Sequence, residues 1–318
     1  MADVILAIDQ GTTGTTVALM DASGRLLKSV NHEFPQIYPQ PGWVEHDPEA
    51  IWLSVIKGIR ALFKTRLAKS SQIVAIGITN QRETALLWDR EALNNAVVWQ
   101  CRRTTDYCQS LRKRGKESGV KEKTGLVLDP YFSASKFRWL LKNTPGIERR
   151  LKQGKVAAGT VDSFLLWRST GGAVHATDVS NASRTSLLNI DQGDWDDELL
   201  SIFQVPRNIL PEVRASSTIL GRTKGLAGLP DGIPIAGIAG DQQAALFGQA
   251  CFKPGEAKCT FGTGSFILMN TGSTRVTSNA GLLTTVGWQL GEEGPIEYAL
   301  EGGAFVCGAA VQWLRDEL

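Results

Sequence analysis

The sequence predicts an α/β layered protein, and three observations lead there. Val4 to Asp9 is an apolar run followed by Gln10-Gly11-Thr12-Thr13-Gly14 and a second apolar run, Thr16 to Met20, which reads as strand, glycine turn, strand. After a further turn at Asp21-Ala22-Ser23-Gly24 and a third run from Leu26 to Asn31, a helical pattern follows, and then the β-branched run Ile73 to Thr79, typical of a buried strand. Near residue 250 the opening pattern returns: Lys258 to Phe261, the turn Gly262-Thr263-Gly264-Ser265, then Phe266 to Asn270. A meander that feeds a helix and then a buried strand makes a sheet with helices packed on it rather than an all-β or all-helical fold.

The elements follow in order. Residues 1–31 form a three-stranded antiparallel meander. Asp47-Pro48 suits a helix cap and first turn, and Ile51, Val55, Ile59 and Leu62 recur at helical spacing behind it. Strands are expected at Ile73–Thr79, Ala85–Trp88 and Ala96–Trp99, and helices at Arg102–Arg114 and Ser133–Lys142. A strand and helix are expected around Val156–Trp167. The polar connections of the middle third, rich in Ser, Thr, Asn and Asp, read as surface insertions. Gly225 to Pro234 has the clearest linker composition and leads into the apolar run Ile233 to Ile238, which is followed by Gly240-Asp241-Gln242-Gln243. Two domains result, 1–250 and 251–318, the second a partial repeat of the first.

Composition excludes several classes. The 318 residues carry 34 Lys plus Arg against 32 Asp plus Glu, a net charge of +2, so nothing electrostatic favours nucleic acid or an anionic membrane. No apolar run approaches the roughly 18 residues that a bilayer span requires. The start MADVILAIDQG lacks the basic segment and long apolar core of a signal peptide. Five cysteines, an odd number without CxxC spacing, read as reduced thiols of a cytoplasmic protein.

The chemistry-bearing residues gather at strand ends and glycine turns. Gly11-Thr12-Thr13-Gly14 offers hydroxyls and backbone N–H groups to phosphate oxygens, and Asp9 at the strand end can hold a hydrated magnesium ion. The turn lacks the lysine of a Walker loop and the spacing of GxGxxG, and alone it reads equally as a hairpin turn. The second turn at 262–264 makes a phosphate chain gripped from both sides of a cleft the better reading. Asp241, behind the small Gly240, could accept a hydroxyl proton or simply cap its helix. Arg82 and Glu83 could bind a polyol or form a plain ion pair. Trp99 and Tyr131 could supply an apolar wall and a hydroxyl, or pack in the core. No histidine sits near a serine or cysteine elbow, which disfavours a hydrolase triad. The sequon Asn181-Ala182-Ser183 reads as chance.

Taken together, DQGTTGT at 9–15, YPQPGWVEHDP at 38–48, GITNQRET at 77–84, VVWQCRRT at 97–104, TGLVLDPYFSASK at 124–136, GIAGDQQAALFGQ at 237–249 and ALEGGAFVCGAAVQWLRDE at 299–317 resemble the FGGY carbohydrate kinase family in its glycerol-specific wording. The resemblance covers the whole chain. It implies a ribonuclease H-like, actin-like ATPase N-terminal domain plus the start of a second, related domain. The implied chemistry is transfer of the ATP γ-phosphoryl group to glycerol. Carried over by position, the polyol site falls on Arg82, Glu83, Tyr131, Asp241 and Gln242, with Trp99 and Phe266 about the carbon skeleton and Asp241 as general base. Asp9 would orient Mg2+; Thr12, Thr13, Gly14, Thr16 and Thr263 would lie at the nucleotide phosphates, and Gly308 and Gln312 near the adenosine. Thr16 stands where some relatives have an arginine. Lys224 to Gly232 stands where some relatives bind fructose 1,6-bisphosphate, but holds no arginine, which counts against that regulation.

The family's chains run well past residue 318 and form homo-oligomers at full length. The resemblance therefore implies a nucleotide cleft with only part of one wall, very low phosphoryl transfer from these 318 residues, and greater protease sensitivity beyond about residue 250. A kinase for another polyol or sugar, or a catalytically silent chain, are the competing readings.

Overall fold

In the computed structural model, residues 3–262, 264–304 and 306–317 are described. The first lobe is organised by a six-stranded sheet. Its order is Ser217–Arg222, Pro234–Gly240, Ile73–Asn80, Val4–Gln10, Gly14–Asp21 and Leu26–Glu33. The opening meander is antiparallel, with Asp9 opposite Thr16, while Ile73–Asn80 runs parallel to both Val4–Gln10 and Pro234–Gly240. Three strands thus deliver their carboxyl ends to one rim, where the residues after Gln10, Asn80 and Gly240 are placed side by side. Crevices outside such strand ends are where ligands bind in α/β sheets.

The helix Pro48–Lys64 covers one face of this sheet. Asp47 caps it by accepting from Glu49 N at 2.9 Å, Pro48 fills the first turn, and Ile51, Val55, Ile59 and Leu62 are buried against Leu6, Ile8, Val17 and Leu19. A second core lies beneath the four-stranded sheet of Glu45–His46, Ala96–Val97, Ala85–Trp88 and Ala157–Thr160. The second lobe is an antiparallel sheet ordered Ala257–Phe261, Ser265–Gly272, Ile296–Ala304 and Leu283–Gln289. Like the first lobe it opens with a strand, a glycine turn and an antiparallel strand, Phe261 pairing with Ser265. Among the described residues no helix is long and apolar enough to cross a membrane, and all five cysteines are free thiols.

Four expectations need correction. The strand expected over Ala96–Trp99 is only Ala96–Val97, because the chain leaves the ladder at Val98 and turns Trp99 towards Thr12. The helix expected over Arg102–Arg114 starts at Thr105 and ends at Lys113. Gly225 to Pro234 is no linker between domains: it is the loop joining two adjacent antiparallel strands of the main sheet, and Leu226 is buried in that sheet's core. The polar run Thr177–Ser186 is not a surface insertion, and every residue in it is at most 2% exposed.

That buried run places the site. Asp178 caps the helix Val179–Ser183 by accepting from Ser180 N and Asn181 N, both at 2.9 Å, and it also takes the Ser216 hydroxyl at 2.7 Å. Asn181 and Asn80 exchange reciprocal amide bonds at 3.0 and 3.1 Å, and Ser180 Oγ accepts the Gly240 N–H at 3.0 Å. These bonds answer the polar groups of Asp178, Ser180 and Asn181, which makes their burial tolerable. The helix stitches together the ends of Ile73–Asn80 and Pro234–Gly240, which carry Arg82 and Asp241.

Candidate active site

Beyond Asn80 the chain makes a tight turn: Gln81 N donates to Gln10 O at 2.7 Å and Thr84 N to Arg82 O at 2.8 Å. Glu83 sits there at φ 61°, a left-handed conformation that a non-glycine residue keeps only when its surroundings impose it. Its carbonyl accepts from Ser133 Oγ at 3.1 Å and from the fully buried Lys136 Nζ at 3.4 Å. Burial pushes the Lys136 ammonium down to about 8, and the same nitrogen also holds the carbonyls of Tyr131 and Phe132. A lysine is thus spent on fixing the backbone of two expected site residues.

Thr12, Arg82, Glu83, Trp99, Tyr131, Asp241, Gln242 and Phe266 line one cavity of about 40 Å³, some three times the volume one water needs. All seven residues expected at the polyol site are among them, joined by Thr12 of the glycine turn. Trp99 spans the two groups, since its indole N–H donates to Thr12 Oγ1 at 3.0 Å while its ring meets Tyr131 and Phe266 edge-on at 5.8 and 6.3 Å. Phe266 lies against Gly303, where a Cβ would come within 2.9 Å of its ring. A roomier cavity of about 960 Å³ between Pro48, Arg90 and Gly171 contains none of these residues and lacks converging aromatic walls.

Arg82 and Glu83 are buried, and neither is the other's main partner. Arg82 donates to both Glu301 oxygens, at 2.6 and 2.9 Å, to Gln243 Oε1 at 3.2 Å and to the Tyr131 hydroxyl at 3.4 Å. Its Nε stands 3.3 Å from Asp241 Oδ1 and 3.7 Å from Glu83 Oε1. Glu83 accepts instead from Arg184 Nε at 2.7 Å. Burial alone would raise the Glu301 carboxyl, but Arg184 and Arg82 hold it well below the usual carboxylate range. Burial prevails at Glu83, whose carboxyl is pushed up in spite of the same two arginines. Gly240 has a role other than admitting substrate: a Cβ there would fall 2.8 Å from the Arg82 side chain, so the glycine makes room for the arginine stem.

Asp241 opens the helix Asp241–Gly248, for which Gly240 is the cap residue, and its side chain remains 37% exposed. Gln242 beside it accepts from Lys258 Nζ, which also donates to Thr260 Oγ1 at 2.8 Å. Burial, seconded by Arg82, pushes the Lys258 ammonium down to about 8.

The phosphate-turn residues lie next to this cavity. Gly11 N donates to Gly14 O at 2.9 Å to close the turn, with Thr13 exposed on it; Thr16 accepts from Asn31 Nδ2 at 3.0 Å. The Asp9 side chain opens into the cleft, yet the crowding walls and the like charge of Asp241 push its carboxyl up to about 6. On the far lobe Gly308 starts a helix and its N–H donates to Gly262 O at 2.9 Å, making one unit of the second glycine turn and the helix start. Among the described residues no hydrogen bond joins that unit to the Asp9–Thr16 turn. Thr263 lies outside the described residues, as does the Gln312 side chain.

Sequence reasoning missed Glu301, Arg184, Lys258 and Lys136. Glu301 carried a signal, being the lone charge in the otherwise small and apolar run ALEGGAF; Arg184, set among serines and threonines, carried none.

The fold and cavity define a two-lobed α/β protein whose cleft presents carboxylates, guanidiniums and aromatic walls at the ends of parallel strands. Residues 4–248 match the FGGY family of carbohydrate kinases, N-terminal domain, and residues 257–318 its C-terminal domain. The chain belongs to the FGGY family of carbohydrate kinases. It is 58% identical over 321 residues to a glycerol kinase of Bdellovibrio bacteriovorus, the match covering 100% of this chain and 65% of that protein. Identity to a glycerol kinase of Symbiobacterium thermophilum is 54%, over 99% of this chain and 63% of the relative. Among solved structures it is similar to Plasmodium falciparum glycerol kinase with ADP, with a TM-score of 0.92, 37% identity and coverage of 98% of this chain and 63% of that one. The chain therefore spans just under two thirds of the length of these proteins.

Proposed function

We propose that this chain carries the substrate site of a cytoplasmic, ATP-dependent glycerol kinase, which transfers the γ-phosphoryl group of ATP to a terminal hydroxyl and yields sn-glycerol 3-phosphate. The observation that carries the reading is the single small cavity in which Arg82, Glu83, Tyr131, Asp241 and Gln242 converge between the rings of Trp99 and Phe266. Hydroxyl-sized donors and acceptors set between two apolar walls suit a short polyol. Relatives at 58% and 54% identity bear the name glycerol kinase, which supports the same substrate.

In this reading Trp99 and Phe266 cover the carbon skeleton, while Arg82, Glu83, Tyr131 and Gln242 orient the hydroxyls. Asp241, the most exposed carboxylate of the cavity, accepts the proton of the attacking hydroxyl as its oxygen bonds to the γ-phosphorus and the bond to the ADP oxygen breaks. Positioning supplies much of the rate in such transfers, which the buried ties on Arg82 and Glu83 serve. Thr12, Thr13, Gly14 and Thr16 serve the phosphates from one lobe and Gly308 the nucleotide from the other, while Thr263 and Gln312 are assigned to the nucleotide by the family resemblance alone.

Burial and, after it, the like charge of Asp241 disfavour the ionised Asp9 carboxylate, and a divalent cation beside it would relieve that cost, so Asp9 fits Mg2+. Among the described residues no cluster of three His, Cys, Asp or Glu surrounds the position, in keeping with an ion held by one carboxylate, waters and substrate phosphates. When bound, the ion neutralises phosphate charge.

Calorimetric titration of the chain with glycerol, and separately with xylulose and gluconate, tests the reading. Heat of binding from glycerol alone is the expected result. Binding of either longer sugar in preference to glycerol would overturn it.

A further inference from the structure

We propose that Glu301 and Arg184 are positioning residues for polyol binding: with Arg82 and Glu83 they close a ring of four alternating charges that decides which edge of Arg82 faces the substrate. The proposal rests on the polyol reading of the cavity and adds to it two residues that do not line it.

The ring can be followed atom by atom. Arg82 Nη1 and Nη2 donate to Glu301 Oε2 and Oε1 at 2.6 and 2.9 Å, a fork against a carboxylate. Glu301 Oε1 also accepts from Arg184 Nη2 at 2.9 Å; Arg184 Nε donates to Glu83 Oε1 at 2.7 Å; and Glu83 Oε1 returns to within 3.7 Å of Arg82 Nε. The two positive and two negative charges cancel, and no side chain of the four is more than 2% exposed. Three members come from the first lobe, while Glu301 comes from the strand Ile296–Ala304 of the second.

Planar bidentate pairing fixes a guanidinium in rotation as well as in place. With both Nη atoms engaged by Glu301, the edge left for Asp241 and the cavity is Nε, 3.3 Å from Asp241 Oδ1. Remove the Glu301 charge, and Glu83 must serve two guanidiniums. Arg82 then turns its fork towards Asp241, the remaining carboxylate within reach, covering the proposed base and filling the space the polyol needs. Stability alone does not call for this arrangement, since buried ion networks are often no more stabilising than apolar residues of the same shape. Two members of the ring line the cavity, and that is the position at which fixed geometry is worth its desolvation.

The test is glycerol titration of the wild-type chain, Glu301→Gln and the charge-neutral double variant Glu301→Gln with Arg184→Met, each checked for folding by near-ultraviolet circular dichroism. The double variant leaves Arg82 and Glu83 as a balanced pair and keeps the question answerable if the single variant fails to fold. Positioning predicts that folded variants bind glycerol at least about tenfold more weakly, and that the ratio of glycerol to 1,2-propanediol affinity narrows because the hydroxyl contacts have lost their aim. A purely structural role predicts lower melting temperatures with both quantities unchanged. Folded variants that bind glycerol within about twofold of wild type, with the same ratio, overturn the positioning role alone. A wild-type chain that binds no glycerol overturns the polyol reading and the positioning role with it.

Discussion

The carboxylates around the cavity form two sets that share a wall and differ in what balances them. Glu83 and Glu301 are sealed in the protein, each answered by guanidiniums at 2.6 to 2.9 Å. Asp9 and Asp241 stand at the ends of two strands on either side of Ile73–Asn80, with their side chains open to the cleft, and burial together with the like charge of Asp241 disfavours the charge on Asp9. The difference teaches which charge is free for chemistry: a carboxylate sealed among arginines can orient a neighbour, whereas one left open to the cleft can take a proton or a cation.

Three substitutions sharpen that contrast. The largest effect is expected at Asp241. In a chain of the length of its relatives, Asp241→Asn keeps the fold and lowers turnover by about 10² or more, because an amide cannot accept the hydroxyl proton. Coupled assay of ADP release checks this, and near-normal turnover would return Asp241 to a merely structural place at its helix start. Next is Arg82→Ala, which removes charge-assisted hydrogen bonds and leaves Glu301 and Glu83 sharing Arg184. Glycerol affinity measured by calorimetry falls by about 1.5 to 3 kcal/mol. An unchanged dissociation constant in the folded variant would remove Arg82 from the site.

The smallest effect concerns pH and has opposite signs at Asp9 and at Glu301. Asp9 is raised in the folded chain from about 3.8 to about 6, so what it contributes to stability is present below pH 3.8 and is lost as the pH rises through 6. Asp9→Asn therefore raises the melting temperature at pH 7.5 and has no effect at pH 3.5. Given the open side chain, the gain is about 1 to 2 °C. Glu301 runs the other way: lowered from 4.5, it contributes stability above that pH which is lost as the solution is acidified towards 2. A melting temperature of Asp9→Asn equal to wild type at pH 7.5 would show that neither burial nor the Asp241 charge disfavours the ionised Asp9.

Local signals made much of this legible. The cap at Asp47-Pro48, the meander, the buried strand Ile73–Asn80 and the second glycine hairpin each depend on residues close in sequence, and each stands where the pattern put it. The cavity set was named residue by residue from matched motifs, and the fold gathers it in one place. What stayed hidden depends on partners that arrive from far along the chain. Thr177–Ser186 has the composition of a loop and lies in the interior because Asn80, 101 residues away, and Ser216, 38 residues away, satisfy it. The ring is longer in range still, with Arg82 and Glu301 separated by 219 residues and Arg184 and Glu301 by 117. Gly225–Pro234 errs in the opposite sense: its glycines suggested a free linker, while Leu226 within it anchors the loop to the core.

The most direct test of the account is a crystal structure of the chain grown with glycerol as its sole polyol. The account predicts glycerol in the cavity, its carbons between Trp99 and Phe266, with one terminal hydroxyl about 2.6 to 3.2 Å from the Asp241 carboxylate and another within reach of Arg82 and Glu83. Glycerol bound elsewhere with the cavity unfilled, or seated with every hydroxyl beyond the reach of Asp241, would contradict it.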